Sequence, residues 1–439
     1  MLNRIKKAIN PALAKKMFVY IVSDGIARAM PFLVMPILAI YMMPEEFGIA
    51  SNYIVFTQLT GSLISLSTYS YFSVDFYKTN ESDKPHLLSN LIYLNLFITI
   101  GCLILVPFLS GKLQEWFYIS IEWQLLALLM MFFSAVIELF TIYLRLAEKA
   151  RLYGKFQFIR SFLSAGLSLL FVAVFLWSWQ GRIFGLLLTN LFIFLISIFF
   201  FKKAGLLSVE LEKKRILNAL KFGLPLLPHK LSTWISSGFE RIFITKKIGI
   251  TDTGLYSFGA NISSAMTLFV NSFFNAFTPY VYKQLSSNEL ENDKLNQIKK
   301  SMVVKSYFAT LAFASILVVC YFLLYYFVKL FFNEAYGRSL VYLPYFLISI
   351  FFSYVYSLFS IYIFFSKTTK LLGIFTISVA LGRAIITIPL ITHFGTIGAA
   401  YAGVIGSFSK AIIVAVYSDK VYPMPWLSIL RSRLKLHEK

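Results

Sequence analysis

Charged residues are scarce in this sequence, and acidic residues are the scarcest of them. Only 14% of the 439 residues are charged, whereas 58% are hydrophobic, and the mean hydropathy is +0.73. A soluble domain of this length needs more polar surface than these residues supply. The composition therefore excludes an ordinary soluble enzyme or binding domain and predicts a chain that is largely embedded in lipid.

Cysteine and histidine are too few, and too scattered, to build a reactive or metal-binding site. Cys102 and Cys320, the only cysteines, lie inside apolar runs, where a free thiol behaves as a small buried hydrophobic group. The four histidines show no metal-ligand spacing. We therefore predict no metal and no cofactor.

Long hydrophilic segments and alternation of apolar with polar residues are also missing. No hydrophilic loop exceeds about 20 residues, which leaves no room for a soluble catalytic domain. The lack of period-two alternation excludes an outer-membrane barrel. We therefore expect a transmembrane protein that is not an enzyme.

Apolar runs of about 20 residues or more are abundant, and each is long enough to cross the ~30 Å hydrocarbon core as a helix. Helices are required because lipid cannot satisfy free backbone polar groups. The sequence thus predicts an all-α integral membrane protein of about twelve spans. These are 17–42, 47–71, 88–109, 122–146, 156–178, 183–201, 217–244, 252–281, 301–328, 339–365, 370–391 and 395–418.

Basic residues outnumber acidic ones by 41 to 20, but they lie between apolar runs and not on a soluble module. They therefore indicate membrane topology, and no nucleic-acid partner is expected. With the N-terminus inside, about 27 of them fall in inward segments and about 6 in outward loops. Both termini are therefore expected in the cytoplasm. The outward residues are Lys112, Arg182, Lys246, Lys247, Lys329 and Arg338.

The chain contains an internal repeat. Residues 132–156 and 351–375 align without a gap, with about 12 identities in 25 positions. Similar short segments around Gly48 and Gly254 open the second and eighth spans. The match predicts two parallel repeats related by a pseudo-twofold axis along the membrane normal.

We accordingly expect an N-terminal six-helix bundle at residues 1–205 and a C-terminal six-helix bundle at residues 206–439. Two such bundles around a central cavity are the architecture of a carrier that works by alternating access.

Four cations fall near the middle of predicted spans, where a charge is costly and marks a candidate site: Arg28, Lys230, Arg383 and Lys410. We predict that they line a hydrated cationic cavity, which would favour a phosphorylated cargo over a cationic drug. Arg28 has an alternative as the partner of Asp24, four residues away on one helix face. Lys410 has an alternative as a snorkelling residue near the inner edge.

Three acids also lie within spans: Asp24, Glu138 and Glu240. Each is a candidate for coupling transport to an ion gradient, because buried acids serve in proton and ion relays. Glu240 has an alternative as a pair with Arg241 at the membrane rim.

Span seven contains two prolines, Pro225 and Pro228, just before Lys230. Each proline removes a helix hydrogen bond and bends the chain. We predict a hinge or binding region here, with a simple packing kink as the alternative.

Several short segments now suggest a family. The segments are KFGLPLLP at 221–228, Glu240-Arg241, GLYS at 254–257, Leu144-Arg145 and PEEFG at 44–48. They resemble the Wzx-type flippases of O-antigen and capsule repeat units, within the multidrug/oligosaccharidyl-lipid/polysaccharide exporter superfamily. The resemblance runs over almost the whole chain, except that many members carry Asp where this chain has Glu240.

The resemblance implies that the cargo is an undecaprenyl-pyrophosphate-linked oligosaccharide, moved to the periplasmic leaflet of the bacterial inner membrane. Membrane lipids and the polysaccharide polymerase machinery are the other expected partners. A multidrug or lipid II exporter of the same fold is the alternative function. A membrane polysaccharide polymerase or ligase is disfavoured, because such enzymes need a large outward loop for catalytic groups.

Overall fold

The computed structural model describes residues 11–286, 292–368 and 370–426. Within these ranges the chain is helical and contains no strand, and twelve of its helices have 20 residues or more. Contacts divide the chain into two compact units, one ending at Gly254 and one beginning at Leu255.

The first unit contains nine helices in its described part. The helices are α1 (Pro11–Tyr41), α2 (Pro44–Ser65), α3 (Thr68–Asp75), α4 (Lys84–Phe117), α5 (Ile121–Leu146), α6 (Ala150–Leu169), α7 (Ser178–Lys203), α8 (Lys213–Gly223) and α9 (Leu227–Lys247). A 3-10 turn, Glu81–Asp83, precedes α4, and a π-helical turn, Leu170–Val174, ends α6. Another 3-10 turn, Leu224–Leu226, joins α8 to α9.

The second unit is built from the later helices. The first of them begins shortly before Gly254, and a 3-10 turn, Arg338–Val341, follows the shortest one. The helices are α10 (Ile250–Leu285), α11 (Asn292–Phe331), α12 (Glu334–Gly337), α13 (Leu343–Phe365), α14 (Lys370–Phe394) and α15 (Thr396–Val421).

Eight helices in the described ranges are long and apolar enough to cross a membrane: α4, α5, α6, α7, α11, α13, α14 and α15. Four more helices exceed 20 residues without belonging to that group: α1, α2, α9 and α10. The predicted all-α, multi-pass membrane architecture is therefore confirmed.

Aromatic packing holds the first unit together. The Phe140 ring is fully buried and lies 4.8 Å from the Phe156 ring and 5.3 Å from the Phe201 ring, centroid to centroid. Edge-to-face pairs of this kind add about 0.5–1.5 kcal/mol each beyond area burial. Phe140 on α5 thus packs against both α6 and α7.

Small residues hold α15 in the second unit. A Cβ on Gly398 would overlap the backbone of Leu390 on α14, and Ala399 and Ala402 are almost fully buried. Small side chains let helix backbones approach closely, which is the main source of packing energy between helices in lipid.

The second predicted span, 47–71, is not one continuous helix. α2 ends at Ser65, and Leu66 and Ser67 take left-handed backbone angles, with φ of 39° and 59°, before α3 begins. This prediction was wrong because neither residue is glycine or proline, so local sequence carries no signal for the break.

The contact division at Gly254 differs from the boundary predicted after residue 205. Helices α8 and α9 pack on α2, α3 and α4 and so fall in the first unit. The predicted boundary is based on the internal repeat in the sequence. Contacts between residues do not test that repeat, so the boundary stays a prediction.

Candidate substrate cavity

Two helix interruptions lie side by side in the first unit. The α2–α3 break places the Leu66 backbone against Gly223, the last residue of α8, so closely that a Cβ on Gly223 would overlap the Leu66 carbonyl oxygen. Leu66 and Ser67 are 5% and 2% exposed. Buried left-handed residues outside glycine cost of order 1 kcal/mol or more each, and they persist only where surrounding packing enforces them.

The predicted irregularity in span seven is present. The chain passes from α8 through one 3-10 turn, Leu224–Leu226, which contains Pro225, and Pro228 occupies the first turn of α9. Proline is tolerated there because the amide groups of a first turn have no helical partner. Whether this region works as a hinge stays a prediction.

A cavity of about 690 Å³ opens beside these two interruptions, among α2, α3, α5 and α9. Its volume falls within the range of roughly 300–1,000 Å³ that is usual for small-molecule sites. Most of its lining residues are polar or aromatic. They are Thr57, Gln58, Gly61, Ser62, Ser65, Ser67, Tyr69, Ser70, Met131, Ser134, Ala135, Glu138, Leu226, His229, Lys230 and Trp234.

Lys230 lies in this cavity, half-buried on α9. Its Nζ donates a hydrogen bond of 3.1 Å to Ser65 Oγ and lies 5.1 Å from the centroid of the Tyr69 ring. Ser65 and Tyr69 stand on either side of the α2–α3 break. The residues on the two sides of the break therefore provide the ammonium group with a hydroxyl oxygen and an aromatic ring face. Both groups are uncharged, so the positive charge of Lys230 is not neutralised.

Glu138 on α5 lines the same cavity, so the structure brings together one predicted cation and one predicted acid. The Glu138 carboxylate interacts electrostatically with Lys230 and also with Arg160 on α6. One carboxylate thus interacts with two cations, so the net charge of these three side chains remains positive.

Trp234 follows Lys230 by one turn of α9. Its indole Nε1 donates a hydrogen bond of 2.9 Å to the Val55 carbonyl oxygen, which fixes the ring in the cavity wall. Sequence reasoning overlooked this residue and the hydroxyl-rich wall from α2 and α3. The signal that was available is the density of serine and threonine in an otherwise apolar span, at Ser62, Ser65, Ser67, Thr68 and Ser70.

Arg383 and Lys410 lie in the second unit, on α14 and α15. The Arg383 side chain packs along two glycines of α15, with Cδ 2.8 Å from an ideal Cβ at Gly406 and Nη2 3.3 Å from one at Gly403. Lys410 Nζ lies 4.3 Å from the centroid of the Tyr356 ring and repels Arg383 electrostatically. The two cations therefore form a local pair of like charge.

Asp24 lies outside the lining of the large cavity. Its carboxylate accepts a hydrogen bond of 3.0 Å from Arg145 Nη2 and another from the Tyr153 hydroxyl. Arg145 also donates to the Tyr153 hydroxyl, which closes a three-residue cluster. The cation that the structure shows on Asp24 is thus Arg145; the Arg28 side chain lies outside the described residues.

Glu240 is 7% exposed on α9, ten residues beyond Lys230, and is absent from the cavity lining. The proposed ion-coupling roles of Asp24, Glu138 and Glu240 all stay predictions.

Solved transporters share this fold. An inward-facing MATE family multidrug resistance transporter of the MOP superfamily aligns with a TM-score of 0.70 and 14% identity, over 94% of this chain and 99% of its own. The lipid II flippase MurJ, in an inward closed conformation, aligns with a TM-score of 0.71 and 17% identity, over 94% of this chain and 90% of its own. These likenesses establish the fold alone.

Two sequence relatives match part of the chain. A Haemophilus influenzae protein named for the Lsg locus is 28% identical over 285 residues, 63% of this chain and 67% of that protein. An uncharacterised membrane protein of the same organism is 24% identical over 292 residues, 64% of this chain and 68% of that protein. Residues 13–284, more than half of the chain, match the family described as polysaccharide biosynthesis protein. The chain belongs to that family.

Proposed function

We propose that this protein is a flippase that moves undecaprenyl-pyrophosphate-linked oligosaccharide repeat units from the cytoplasmic to the periplasmic leaflet by alternating access. The observation that carries the proposal is the position of Lys230, a half-buried cation on α9 that faces a polar cavity of about 690 Å³. A half-buried ammonium group needs an anionic partner or water, and a pyrophosphate supplies the former.

Lys230 suits a pyrophosphate because its ammonium is a compact charge with three donors. Its contacts with Ser65 and Tyr69 leave capacity for a phosphate oxygen. In the second unit, Arg383 and Lys410 repel one another and are both stabilised by an anion, so they are the second candidate contact for the cargo. Arg28 completes the proposed set on sequence grounds.

The remaining cavity wall suits sugars. Hydroxyl and amide side chains such as Gln58, Ser62 and Ser134 donate and accept hydrogen bonds, as sugar hydroxyls require. Trp234 and Tyr69 present flat amphipathic rings against which a sugar ring packs. The polyprenyl tail needs no protein site, because it stays in the lipid of the inner membrane.

A multidrug exporter of the same fold is the second candidate, and Glu138 is the observation that favours it, because a carboxylate in the cavity attracts cationic drugs. Two cations act on this one acid, so the charge balance favours an anionic cargo.

The test uses purified protein in liposomes that carry a polyprenyl-pyrophosphate oligosaccharide in one leaflet. We expect the glycolipid to reach the other leaflet, with no efflux of a cationic dye from the same liposomes. Dye efflux without glycolipid movement would make the protein a drug exporter. Movement of lipid II in preference to the oligosaccharide would assign it that cargo.

A further inference from the structure

A second, smaller cavity lies in the first unit, bounded by α1, α6 and α7. It has a volume of about 230 Å³, and two arginines stand in its wall. Since one water occupies about 30 Å³, the space suits one compact ligand with a few waters. The lining residues are Ala27, Met30, Val34, Gln157, Arg160, Ser161, Ser164, Ala165 and Arg182.

Arg182 is the better buried of the two arginines. Sequence reasoning placed it in an outward loop, but it lies on α7 and is only 8% exposed. Its Nη1 donates a hydrogen bond of 2.6 Å to Ser168 Oγ, while its Nε is buried with no hydrogen-bond partner in the described part of the chain. A buried charge left with an unsatisfied donor destabilises the fold unless an anion compensates it.

Arg160 supplies a second guanidinium to the same cavity from α6. Among the described residues, the acid whose charge acts on it is Glu138, which is also drawn to Lys230. Arg160 is therefore only partly compensated. Asp24, the other acid near this region, is held by Arg145 and Tyr153, although Gln157 at the cavity wall also reaches it, at 3.5 Å.

We propose that Arg160 and Arg182 hold one small inorganic anion, either chloride or a compact oxyanion such as phosphate. The two guanidinium groups supply charge and planar donors, and the Ser161 and Ser164 hydroxyls in the wall supply further donors. Neither the resemblance to known flippases nor the large cavity requires this site. Glu138 lies between the two sites electrostatically, because its carboxylate interacts with Lys230 and with Arg160.

The site has a consequence for the large cavity, and this consequence rests on the proposed function. An anion that neutralises Arg160 leaves the Glu138 carboxylate to act on Lys230 alone. Lys230 then attracts a pyrophosphate less strongly, so the anion and the cargo weaken one another's binding to an equal degree.

The test of the anion site needs no lipid cargo. Thermal unfolding of the purified full-length protein is followed in detergent at constant ionic strength while gluconate is replaced by chloride or by phosphate. A ligand that binds the folded state raises the Tm as its concentration increases. We expect this rise in the wild type and in the control Arg151→Gln. That control removes an exposed arginine from the start of α6, the helix that carries Arg160.

Arg160→Gln and Arg182→Gln are each expected to need about 10- to 100-fold more anion for the same rise, because each loses charge-assisted hydrogen bonds. Arg160 is only half-buried, so its variant remains informative if Arg182→Gln does not fold. Glu138→Gln is expected to tighten anion binding about fivefold or more, since it frees Arg160.

Equal stabilisation of all variants by the anion would overturn the proposed site. A wild-type Tm that does not change with anion concentration would also overturn it. Failure of glycolipid movement in liposomes would leave this result untouched, because the unfolding assay contains no glycolipid.

Discussion

Gly223 and Leu66 touch through their backbones, at the point where two interrupted helices meet. A Cβ on Gly223 would overlap the Leu66 carbonyl oxygen and would lie 2.8 Å from Leu66 Cγ. Leu66 is held in a left-handed conformation by this packing, and Lys230 follows Gly223 by about two helical turns. The shape of the large cavity therefore depends on a residue with no side chain.

Gly223→Ala is the first prediction. The added methyl group meets backbone on the facing segment, so the α2–α3 break must shift, at a cost of about 1–3 kcal/mol. We expect a lower Tm and slower glycolipid movement. Gly166→Ala, at a helical glycine with open space around it, is the matched control and should lower neither quantity. Equal behaviour of the two variants would show that the contact is unimportant.

The second prediction concerns the two glycines that sequence comparison aligned. A Cβ on Gly48 would overlap the Ile250 carbonyl oxygen, and a Cβ on Gly254 would overlap the Pro44 carbonyl oxygen. Each glycine thus contacts the residue four positions before the other, so the two contacts are reciprocal.

Gly48→Ala and Gly254→Ala should each lower the Tm by a similar amount, since they separate the same two helix starts. Gly101→Ala on α4, where nothing lies within 4 Å, is the control. A thermal shift assay measures all three variants. A large effect of one glycine and none of the other would contradict the reciprocal contact.

The third prediction treats Asp24 and Arg145 as a structural pair. Their side chains are 29% and 41% exposed, so solvent screens the 3.0 Å contact, and a coupling energy below about 1 kcal/mol is expected. A double-mutant cycle with Asp24→Asn and Arg145→Gln measures this coupling. If Asp24→Asn instead changes how transport depends on a proton or sodium gradient, Asp24 is a coupling residue.

The fourth prediction concerns Glu138, which acts on Lys230 and Arg160 at once. Glu138→Gln removes the acid that opposes cargo binding, so the apparent affinity for the glycolipid should rise about fivefold or more. Gln58→Glu, which adds an acid to the same cavity wall, should lower the affinity. Flipping rates measured against glycolipid concentration provide both values. An affinity that falls in Glu138→Gln would contradict this electrostatic role.

Much of the fold follows from the sequence, because hydrophobic length and the need to satisfy backbone groups leave few options in lipid. The long apolar runs became long helices, and the prolines at Pro225 and Pro228 marked a real change of helix geometry. The break at Leu66 and Ser67 escaped prediction, because tertiary packing against Gly223 enforces it and no local residue does.

The candidate site was less predictable than the fold. Position along a span identifies a buried charge but not its neighbours, so Lys230 and Glu138 were named separately although they share one cavity. Arg182 was assigned to a loop because it lies near a span end, whereas the structure places it inside a helix against Ser168. Partners of this kind depend on helix rotation, which the hydrophobic pattern does not determine in uniformly apolar spans.

The role of Lys230 in cargo binding is tested most directly by removing its charge and measuring movement of the pyrophosphate-linked glycolipid. Rates are compared in liposomes for wild type, Lys230→Gln and Lys221→Gln, the last removing an exposed lysine from α8. Each protein is also given a neutral glycolipid with the same sugars.

We expect Lys230→Gln to slow movement of the pyrophosphate cargo by about 10- to 100-fold, through loss of a charge-assisted contact, and to leave movement of the neutral glycolipid unchanged. Lys221→Gln should match the wild type. Equal rates for all three proteins with the pyrophosphate cargo would contradict the assignment of Lys230 to cargo binding.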